Sequence, residues 1–274
     1  MRTEPISSVR NPKVKEAVSL GYRSDVRRER GLFLVEGRRE VERCLAAGFS
    51  ARCIFWCPEL LPPEQLEPLT AGALSPACKV FEVTEEVYGK IAYRGGTEGI
   101  IAEVEWRERS LADLPSCPPD SPAPLIMVLE SVEKPGNLGA VLRSADAAGA
   151  SALLVCDSPT DIYNPNVIRA SVGAVFTVPV ICCKSEEAIK WLKDNNIQIL
   201  TAQLQDSSLY YETDMTGPTA IVMGTESTGL TSIWREAADA HIRIPMLGVE
   251  DSLNVSVSAA ILLYEAVRQR QNSF

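Results

Sequence analysis

The sequence predicts an α/β protein in which a small α/β domain precedes a larger, mostly parallel sheet with helices on both faces. Three observations predict this fold class. The chain has 274 residues, 46% of them apolar and 23% charged, which suits one large or two ordinary globular domains. Strand-like apolar runs alternate with helical patterns through its second half. Four prolines within residues 108–123 mark a linker, so the predicted domains are residues 1–107 and 124–274.

The first domain is predicted to begin with a basic helical stretch and to continue with short strands and helices. Helical patterns cover residues 8–29, 38–47 and 85–90, and strand-like runs cover 32–36, 53–57, 79–83 and 100–104. Gly48 directly follows the second helix, as expected of a residue that ends a helix. These elements form a small α/β domain that ends before the linker.

The second domain is predicted to alternate between strands and helices along its whole length. Strand-like runs cover residues 125–129, 152–155, 176–180, 197–202, 220–223 and 240–244, and helical patterns precede Gly149, cover 165–172, 185–195 and 232–237, and end near 269. Such alternation is typical of a mostly parallel sheet. Because ligands of open parallel sheets bind beyond the carboxyl ends of the strands, the loops that follow the strands are the candidate sites.

Composition excludes several classes of protein. Apolar runs such as residues 124–129 and 259–264 are far shorter than the roughly 18–20 residues that cross a bilayer, and the charged start leaves no apolar core for a secretory signal. We therefore expect a cytoplasmic protein with no membrane segment. The eight cysteines are scattered and His241 is the single histidine, so buried free thiols are expected rather than a metal site.

Charge is distributed unevenly along the chain. The net charge is −9, but residues 1–43 carry 11 Lys/Arg and 7 Asp/Glu, so this segment has a net charge of +4 and the rest of the chain −13. Arg27, Arg28 and Arg30 are therefore candidates for contacts with an RNA phosphate backbone. The alternative is a solvated helix face, because acidic residues are interspersed among these arginines.

The first candidate loop lies between the strand at 125–129 and the next helix. Gly136 and Gly139 permit a tight turn and a close backbone approach, Asn137 is placed to cap the helix, and Arg143 follows one to two turns later. The spacing differs from the dinucleotide fingerprint G-x-G-x-x-G, which weighs against a nicotinamide or flavin cofactor. Without reference to any family, a purely structural turn explains this loop equally well.

Two further loops follow apolar strands. Residues 222–230 place a glycine on each side of Glu226, which puts this carboxylate over the strand end; alternatively, Glu226 caps the next helix. Residues 244–260 combine apolar residues with Ser252 and Asn254 ahead of an Ala- and Ser-rich helix, which offers a flat, adenine-sized slot beside two hydrogen-bonding side chains. The alternative here is close helix packing with Ser252 as a cap.

Together the three loops closely resemble the signature motifs of the SpoU/TrmH family of RNA 2′-O-ribose methyltransferases, in the SPOUT superfamily. The motifs are Asn-x-Gly-x3-Arg at 137–143, Gly-x-Glu-x2-Gly-Leu at 224–230 and Ile-Pro-Met-x5-Ser-Leu-Asn-Val-Ser at 244–256. The resemblance covers about 150 residues from Pro124 onward, and residues 168–174 resemble the family's Arg-x-Ser-x-Gly-Ala segment. Residues 10–13 and 31–37 resemble the ribosomal-protein-like, RNA substrate-binding domain that often precedes this catalytic domain.

The resemblance implies a deep trefoil knot in the C-terminal sheet, binding of S-adenosylmethionine, and a homodimer in which the second subunit helps to form the site. True knots are otherwise nearly absent from proteins, so only the resemblance supports this one. The residues that it places around the cofactor are Gly224, Ile244 and Leu253, largely through backbone groups, with Met223, Thr225, Leu230 and Met246 beside them.

The implied reaction is methyl transfer to a ribose 2′-hydroxyl, and the resemblance also assigns residue roles. Arg143 matches the family's catalytic arginine. Because a guanidinium stays protonated, the physics favours a role in orienting an RNA phosphate and stabilising the developing alkoxide. The other implied roles are positioning of ribose and cofactor by Asn137 and Asn254, orientation of Arg143 or Asn137 by Glu226, completion of the hydrogen-bonded floor by Ser252, and an RNA contact by Arg169.

The two-domain layout favours ribosomal RNA over transfer RNA as the substrate, by analogy with the family. The alternatives are a transfer-RNA ribose methyltransferase, a methyltransferase that modifies a base, and a non-catalytic RNA-binding assembly factor on the same fold. The presence of Arg143 and Glu226 argues against the assembly factor, and the three ribose-type motifs argue against base modification. Residues 133–136 depart from the commonest form of the first motif, which leaves the subfamily open.

Overall fold

A computed structural model describes residues 3–70, 74–93, 95, 98–114, 122–225, 228–249 and 251–271. The first elements are β1 (Thr3–Ile6), α1 (Pro12–Tyr22), α2 (Ser24–Arg30), β2 (Leu32–Glu36), α3 (Arg38–Ala46), β3 (Ala51–Trp56), α4 (Pro63–Thr70), β4 (Lys79–Val83), α5 (Glu85–Ile91) and β5 (Ile100–Glu105). The later elements are β6 (Leu125–Glu130), α6 (Pro135–Ala147), β7 (Ala152–Cys156), α7 (Pro165–Ser171), α8 (Ala174–Thr177), β8 (Val180–Cys183), α9 (Ser185–Asp194), β9 (Gln198–Ala202), β10 (Ser208–Leu209), β11 (Thr219–Met223), α10 (Ser232–Ala237), β12 (Ala240–Arg243) and α11 (Val255–Gln271).

The chain forms two compact units. The N-terminal unit comprises Met1–Arg107 together with Asp161–Thr177, and the C-terminal unit comprises Glu108–Thr160 together with Val178–Phe274. The first unit therefore includes a segment that the sequence-based boundaries assign to the second domain. The chain leaves the C-terminal unit after Thr160 and returns to it at Val178.

The N-terminal unit contains a five-stranded sheet in the order β1-β4-β3-β5-β2. Strands β1, β4 and β3 pair in parallel, whereas β5 is antiparallel to both β3 and β2. The four strands predicted in this region correspond to β2–β5, because each carries a largely buried apolar run. Strand β1 and helix α4 were not predicted. Only Ile6 of β1 is buried, and α4 contains Pro68, so neither presents a regular apolar pattern.

The predicted helix at 8–29 is two helices in the structure. Helix α1 begins after Asn11, whose side-chain oxygen accepts a hydrogen bond from Lys13 N at 2.8 Å. The chain becomes extended at Arg23, with φ −118° and ψ 110°, and this residue separates α1 from α2. Gly31 then ends α2 in the left-handed conformation, with φ 61°, a geometry that costs glycine little.

Segment Asp161–Thr177 joins the N-terminal unit through aromatic packing. The ring of Tyr163 stacks on Phe33 with centroids 4.1 Å apart and nearly parallel planes, and Phe176 lies against the same Phe33 ring at 6.1 Å. All three rings are buried. Large aromatic side chains dominate the energetics of small cores, so this cluster anchors the segment.

The same cluster explains a wrong prediction of a strand at 176–180. Residues Ala174–Thr177 form a short helix that buries Phe176, and the strand begins only at Val180. Pro179 separates the two, since it carries no N–H for a strand ladder.

The C-terminal unit is built on a seven-stranded sheet in the order β10-β12-β9-β11-β6-β7-β8, with every described pair of strands parallel. All residues of β6, β7 and β11 are buried, as expected of central parallel strands covered on both faces. The last helix, α11, packs against α6 beside β6 and β11. Within the described ranges, no helix has the length and apolar character needed to span a bilayer.

One carboxylate in the N-terminal sheet is buried without hydrogen-bond partners. Glu103 on β5 is fully buried, and neither of its carboxylate oxygens has a partner among the described residues. The half-exposed Arg52 places its Nε 3.6 Å from Oε1. Burial raises the pKa of Glu103, and the nearby Glu16 carboxylate raises it further. The ionised side chain therefore destabilises the folded N-terminal unit.

We expect Glu103→Gln to raise the free energy of unfolding by ~1 kcal/mol at neutral pH, because a neutral amide removes the cost of burying a charge. The pKa of this carboxyl is raised on folding, so the wild type loses stability as the pH rises above the ordinary value of 4.5, and the advantage of the variant should grow over that range. Thermal unfolding between about pH 4 and pH 8 checks this. Exposed Glu105 on the same strand gives the control, Glu105→Gln; equal melting temperatures for Glu103→Gln and wild type at neutral pH would contradict the prediction.

Candidate active site

The loops after β6 and β11 leave the sheet side by side. The two strands are parallel neighbours, with Leu129 opposite Met223, so both end at the same edge.

The loop after β6 leads into α6, whose first turn contains Asn137. Asn137 was predicted to cap this helix, but the cap position is occupied by Lys134, and Asn137 N donates to the Lys134 carbonyl oxygen at 3.0 Å. Its side chain is thereby left for contacts outside the helix.

Asn254 connects the first and third predicted loops. Its Nδ2 donates to Asn137 Oδ1 at 3.2 Å, across 117 residues of sequence. Its Oδ1 accepts from Ser256 N at 3.0 Å and from Ser256 Oγ at 2.6 Å, at the start of α11. Asn254, rather than Ser252, is therefore the residue that caps this helix. One amide side chain fixes the start of α11 and holds the Asn137 loop.

A cavity of about 370 Å³ lies between the second and third loops. Its size is that of a small-molecule or cofactor site. The structure brings together all of the residues predicted to surround the cofactor: Met223, Gly224, Thr225, Leu230, Ile244, Met246 and Leu253. Ser252 also lines this cavity. Sequence reasoning missed other lining residues, among them Gln203 from the end of β9 and Arg235 from α10, because neither lies in one of the three loops.

The second loop is folded tightly on itself at Gly224. A Cβ atom at this position would collide with the Gly229 carbonyl group and lie 2.6 Å from Leu230 N, so only glycine fits. An isolated bridge between Thr225 and Gly229 closes the turn. Glu226, predicted to lie between these residues, is outside the described residues. Gly224 lines the cavity.

Buried Glu130 fixes the end of this loop. The last residue of β6, it is only 3% exposed, and its Oε2 accepts from Thr231 N at 2.9 Å while its Oε1 accepts from Thr231 Oγ1 at 2.5 Å. The carboxylate therefore joins the strand that carries the first loop to the segment that ends the second. Its position at a strand end was the only sequence signal for this role.

The cavity fits S-adenosylmethionine in the chemistry of its lining. Gly224, Ile244 and Leu253 line the cavity, and Met246 and Leu262 are apolar residues of the same lining. Gln203 and Ser252 add amide and hydroxyl groups that suit a ribose or an amino acid moiety. Both the apolar and the polar portions of this cofactor thus have counterparts in the lining.

A smaller cavity of about 170 Å³ adjoins the first. Gly224, Thr225 and Val255 line both cavities, and Asn137 lines the smaller one. Arg143 lies six residues after Asn137 on α6, is exposed, and lines neither of these two cavities. The structure therefore places Asn137 beside the proposed cofactor site and Arg143 on the nearby surface.

Two hydroxyl groups hold the first loop in place and were missed by sequence reasoning. Ser158 Oγ donates to the Val132 carbonyl oxygen at 2.6 Å. Thr160 Oγ1 lies 2.8 Å from the same oxygen and 3.1 Å from the Glu133 carbonyl oxygen. Both residues follow β7. Because β7 pairs with β6 in parallel, the two strands end at the same edge of the sheet. Only their location after a strand signalled this role.

The predicted RNA-contacting arginines divide into two groups. Arg27 is only 1% exposed, its Nε donates to Asp161 Oδ2 at 2.6 Å, and its Nη1 donates to the Leu20 carbonyl oxygen at 2.6 Å. The prediction that Arg27 contacts RNA is therefore wrong, because its guanidinium is consumed by a buried ion pair within the N-terminal unit. Arg28, Arg30 and Arg169 are exposed.

Comparisons with known proteins agree with the geometry of both units. The model of the SpoU rRNA methylase family matches residues 124–264, and that of the MRM3-like substrate-binding domain matches residues 11–102. The 23S rRNA (guanosine-2′-O-)-methyltransferase RlmB of Pectobacterium atrosepticum is 35% identical over 208 residues, which are 75% of this chain and 85% of the relative.

Two solved structures resemble the whole chain. A crystal structure of an RNA 2′-O ribose methyltransferase has a TM-score of 0.82 at 43% identity and covers 98% of this chain and 100% of its own. The AdoMet-bound rRNA methyltransferase from Sinorhizobium meliloti has a TM-score of 0.86 at 30% identity, with coverages of 97% and 98%.

These likenesses confirm the predicted fold class, an α/β knot of the SPOUT type preceded by a smaller α/β unit. The match to the catalytic family spans just over half of the 274 residues. This chain belongs to the SpoU rRNA methylase family.

Proposed function

We propose that this protein transfers a methyl group from S-adenosylmethionine to a ribose 2′-hydroxyl of ribosomal RNA. The observation that carries the proposal is the hydrogen bond between Asn254 and Asn137, which joins the cofactor-sized cavity to the loop of the first motif. Relatives named as 23S rRNA guanosine-2′-O-methyltransferases, and a neighbour with AdoMet bound, support the same substrate class and cofactor.

S-adenosylmethionine supplies, when bound, an electrophilic methyl group on a sulfonium. Gly224, Ile244 and Leu253 would hold its adenosine portion through backbone groups, with Met223, Thr225, Leu230 and Met246 around it. The tight turn at Gly224 would keep the backbone of the second loop fixed before the cofactor arrives. Preorganised polar groups of this kind cost no rearrangement at the moment of reaction.

The residues of the first and third motifs act on the ribose. Asn137 and Asn254 position the sugar beside the cofactor cavity, and Ser252 completes the polar floor. Arg143 carries a permanent positive charge on the exposed face of α6, so it binds an RNA phosphate and stabilises negative charge that develops on the 2′-oxygen. Glu226 orients Arg143 or Asn137. Holding the nucleophile and the methyl group in line supplies several kcal/mol of the barrier reduction.

The proposal includes a homodimer that acts in the cytoplasm. Helix α11 exposes Val257 and Tyr264, which lie seven residues apart and so on one face of the helix; their exposed fractions are 47% and 49%. We propose that a second copy of the chain covers this face. RNA contacts by Arg28, Arg30 and Arg169 complete the proposal.

We expect Leu253→Arg to weaken S-adenosylmethionine binding by about 100-fold or more, because it puts a long charged side chain into the space that the cofactor would occupy. Isothermal titration calorimetry measures the affinity. Val249→Arg is the matched control, since Val249 lies in the same loop but is fully exposed and outside the lining. Wild-type affinity in Leu253→Arg would place the cofactor elsewhere.

We expect Arg143→Ala to lower methyl transfer by about 100-fold or more while S-adenosylmethionine affinity stays within about twofold, because the side chain acts on the RNA and lies outside the cofactor cavity. Transfer of radiolabelled methyl groups to ribosomal RNA, followed by alkaline hydrolysis, measures 2′-O-methylation because methylated riboses resist cleavage. Lys193→Ala, which removes an exposed charge from α9, is the control. Label that alkali releases as mononucleotides would contradict ribose methylation.

We expect the double variant Arg28→Glu, Arg30→Glu to weaken binding to ribosomal RNA and to reduce the slope of log affinity against log salt by about one for each lost phosphate contact. Fluorescence anisotropy over a salt series measures both quantities. The control is Lys190→Glu, Lys193→Glu on α9, which makes the same change in net charge in the other unit. An unchanged salt slope in the arginine variant would remove α2 from the RNA interface.

A further inference from the structure

The N-terminal unit contains a cavity that the proposed reaction does not use. Its volume is about 260 Å³, and it lies among β2, α3, the end of α5 and α7. Leu34, Ile91 and Ile101 give it an apolar floor. A planar organic group fits such a space better than a hydrated ion does.

The carboxylates of Glu36, Glu40 and Glu98 line this cavity. Those of Glu40 and Glu98 both lie close to Gly37. A Cβ atom on Gly37 would lie 3.5 Å from Glu98 Oε2 and would collide with Glu40 Oε2. Gly37 has a φ of 106°, a backbone conformation that favours glycine. Glycine therefore allows both carboxylates to face the same point.

Backbone N–H groups hold two of these carboxylates, those of Glu36 and Glu98, in place. Glu36 Oε2 accepts from Tyr93 N at 2.6 Å, and Glu98 Oε2 accepts from Arg38 N at 2.6 Å. Within the described part of the chain, no hydrogen bond engages the second oxygen of either carboxylate. Burial raises the pKa of Glu36 and of Glu40, because the cavity gives these groups less water than the free side chains have. The cavity thus presents two fixed acceptors, of which Glu36 is partly buried and Glu98 is exposed.

An aromatic ring and a guanidinium complete the lining. The ring of Tyr93 borders the cavity, its hydroxyl accepts from Asn166 Nδ2 at 3.1 Å, and its centroid is 5.4 Å from that of Tyr22, which is 62% exposed. Arg169 lines the same cavity from α7 and is exposed. Unstacked RNA bases are recognised by such aromatic rings together with polar groups at their edges.

We propose that this cavity binds an unstacked guanine base of the RNA substrate, with its N1–H and 2-amino groups donating to Glu36 and Glu98 and its ring against Tyr93. Arg169 binds the flanking phosphate. The inference rests on the proposed function, which supplies RNA as the ligand. Three carboxylates exclude a phosphate from the interior, and the described residues contain no cluster suited to a metal ion.

Guanine fits this wall better than the other three bases do. Its Watson–Crick edge carries two adjacent donors, which match paired carboxylate acceptors. Adenine and cytosine each present one amino group beside a ring nitrogen that accepts, and uracil presents one N–H between two carbonyl groups. Each mismatch would place an acceptor against a carboxylate, and leaving buried polar groups unpaired is what gives strong discrimination.

Ligand-observed NMR on the full-length protein tests the assignment with 5′-GMP and 5′-IMP, which differ only in the 2-amino group. Saturating S-adenosylhomocysteine occupies the cofactor cavity throughout. We expect GMP to bind about tenfold or more tightly than IMP in the wild type. The ratio should fall towards one in Glu98→Gln, which alters the partner of the 2-amino group, whereas Glu36→Gln, which alters the partner of the shared N1–H, should weaken binding of both nucleotides. Glu105→Gln, an exposed carboxylate on β5, should keep the wild-type ratio.

Equal affinity for GMP and IMP in the wild type, or a wild-type ratio in Glu98→Gln, would overturn the inference. Glu98 is exposed, so Glu98→Gln tests the site even if Glu36→Gln fails to fold. Methylation assays separate this inference from the proposed function. Selectivity for GMP without methyl transfer to ribosomal RNA would contradict the proposed function but not the cavity assignment. Methyl transfer without selectivity for GMP would contradict the cavity assignment alone.

Discussion

The parallel pairing of β6 with β11 is the constraint on which the active site depends. Because Leu129 lies opposite Met223, both strands end at one edge of the sheet, and their loops must leave it together. Strands β9 and β12 extend the same parallel array, so the third loop departs from that edge too. Glu130 then ties the first strand end to Thr231, the residue after the second loop. The cavity is thus assembled by sheet direction and secured by one buried carboxylate.

The sequence could predict the strands and loop motifs that depend on a local pattern of residues. Buried strands such as β6 and β11 carry unbroken apolar runs, and the loops after them carry the motifs that line the cofactor-sized cavity. It could not predict Ser158 and Thr160, because hydroxyl groups that bind the backbone of another loop leave no periodic signal. Strand β10 has only two residues, and its place beside β12 depends on pairing alone.

Arg27 shows why charge pattern alone misled the assignment of RNA contacts. The run from Arg27 to Arg30 reads as one basic surface, but α2 buries Arg27 and exposes Arg28 and Arg30. Arg28 is turned away from Arg27 by about 100°, and Arg30 is the last residue of the helix. Its partner Asp161 lies 134 residues away, so no local signal announces the pair. Removing either member would leave an uncompensated buried charge. The ion pair therefore holds Asp161–Thr177 within the N-terminal unit.

In the proposed function, opposite charges in the N-terminal unit would serve different parts of an RNA ligand. Exposed Arg28 and Arg30 would attract the phosphate backbone, an interaction that positions the ligand without reading its sequence. The carboxylates of the proposed base cavity repel that same backbone. An RNA strand that bound at α2 could therefore insert only a base into the cavity, and only a base whose edge donates hydrogen bonds. In this proposal the acidic cavity adds base selectivity to a phosphate interaction that has none of its own, which would account for the three carboxylates of the cavity despite the anionic ligand.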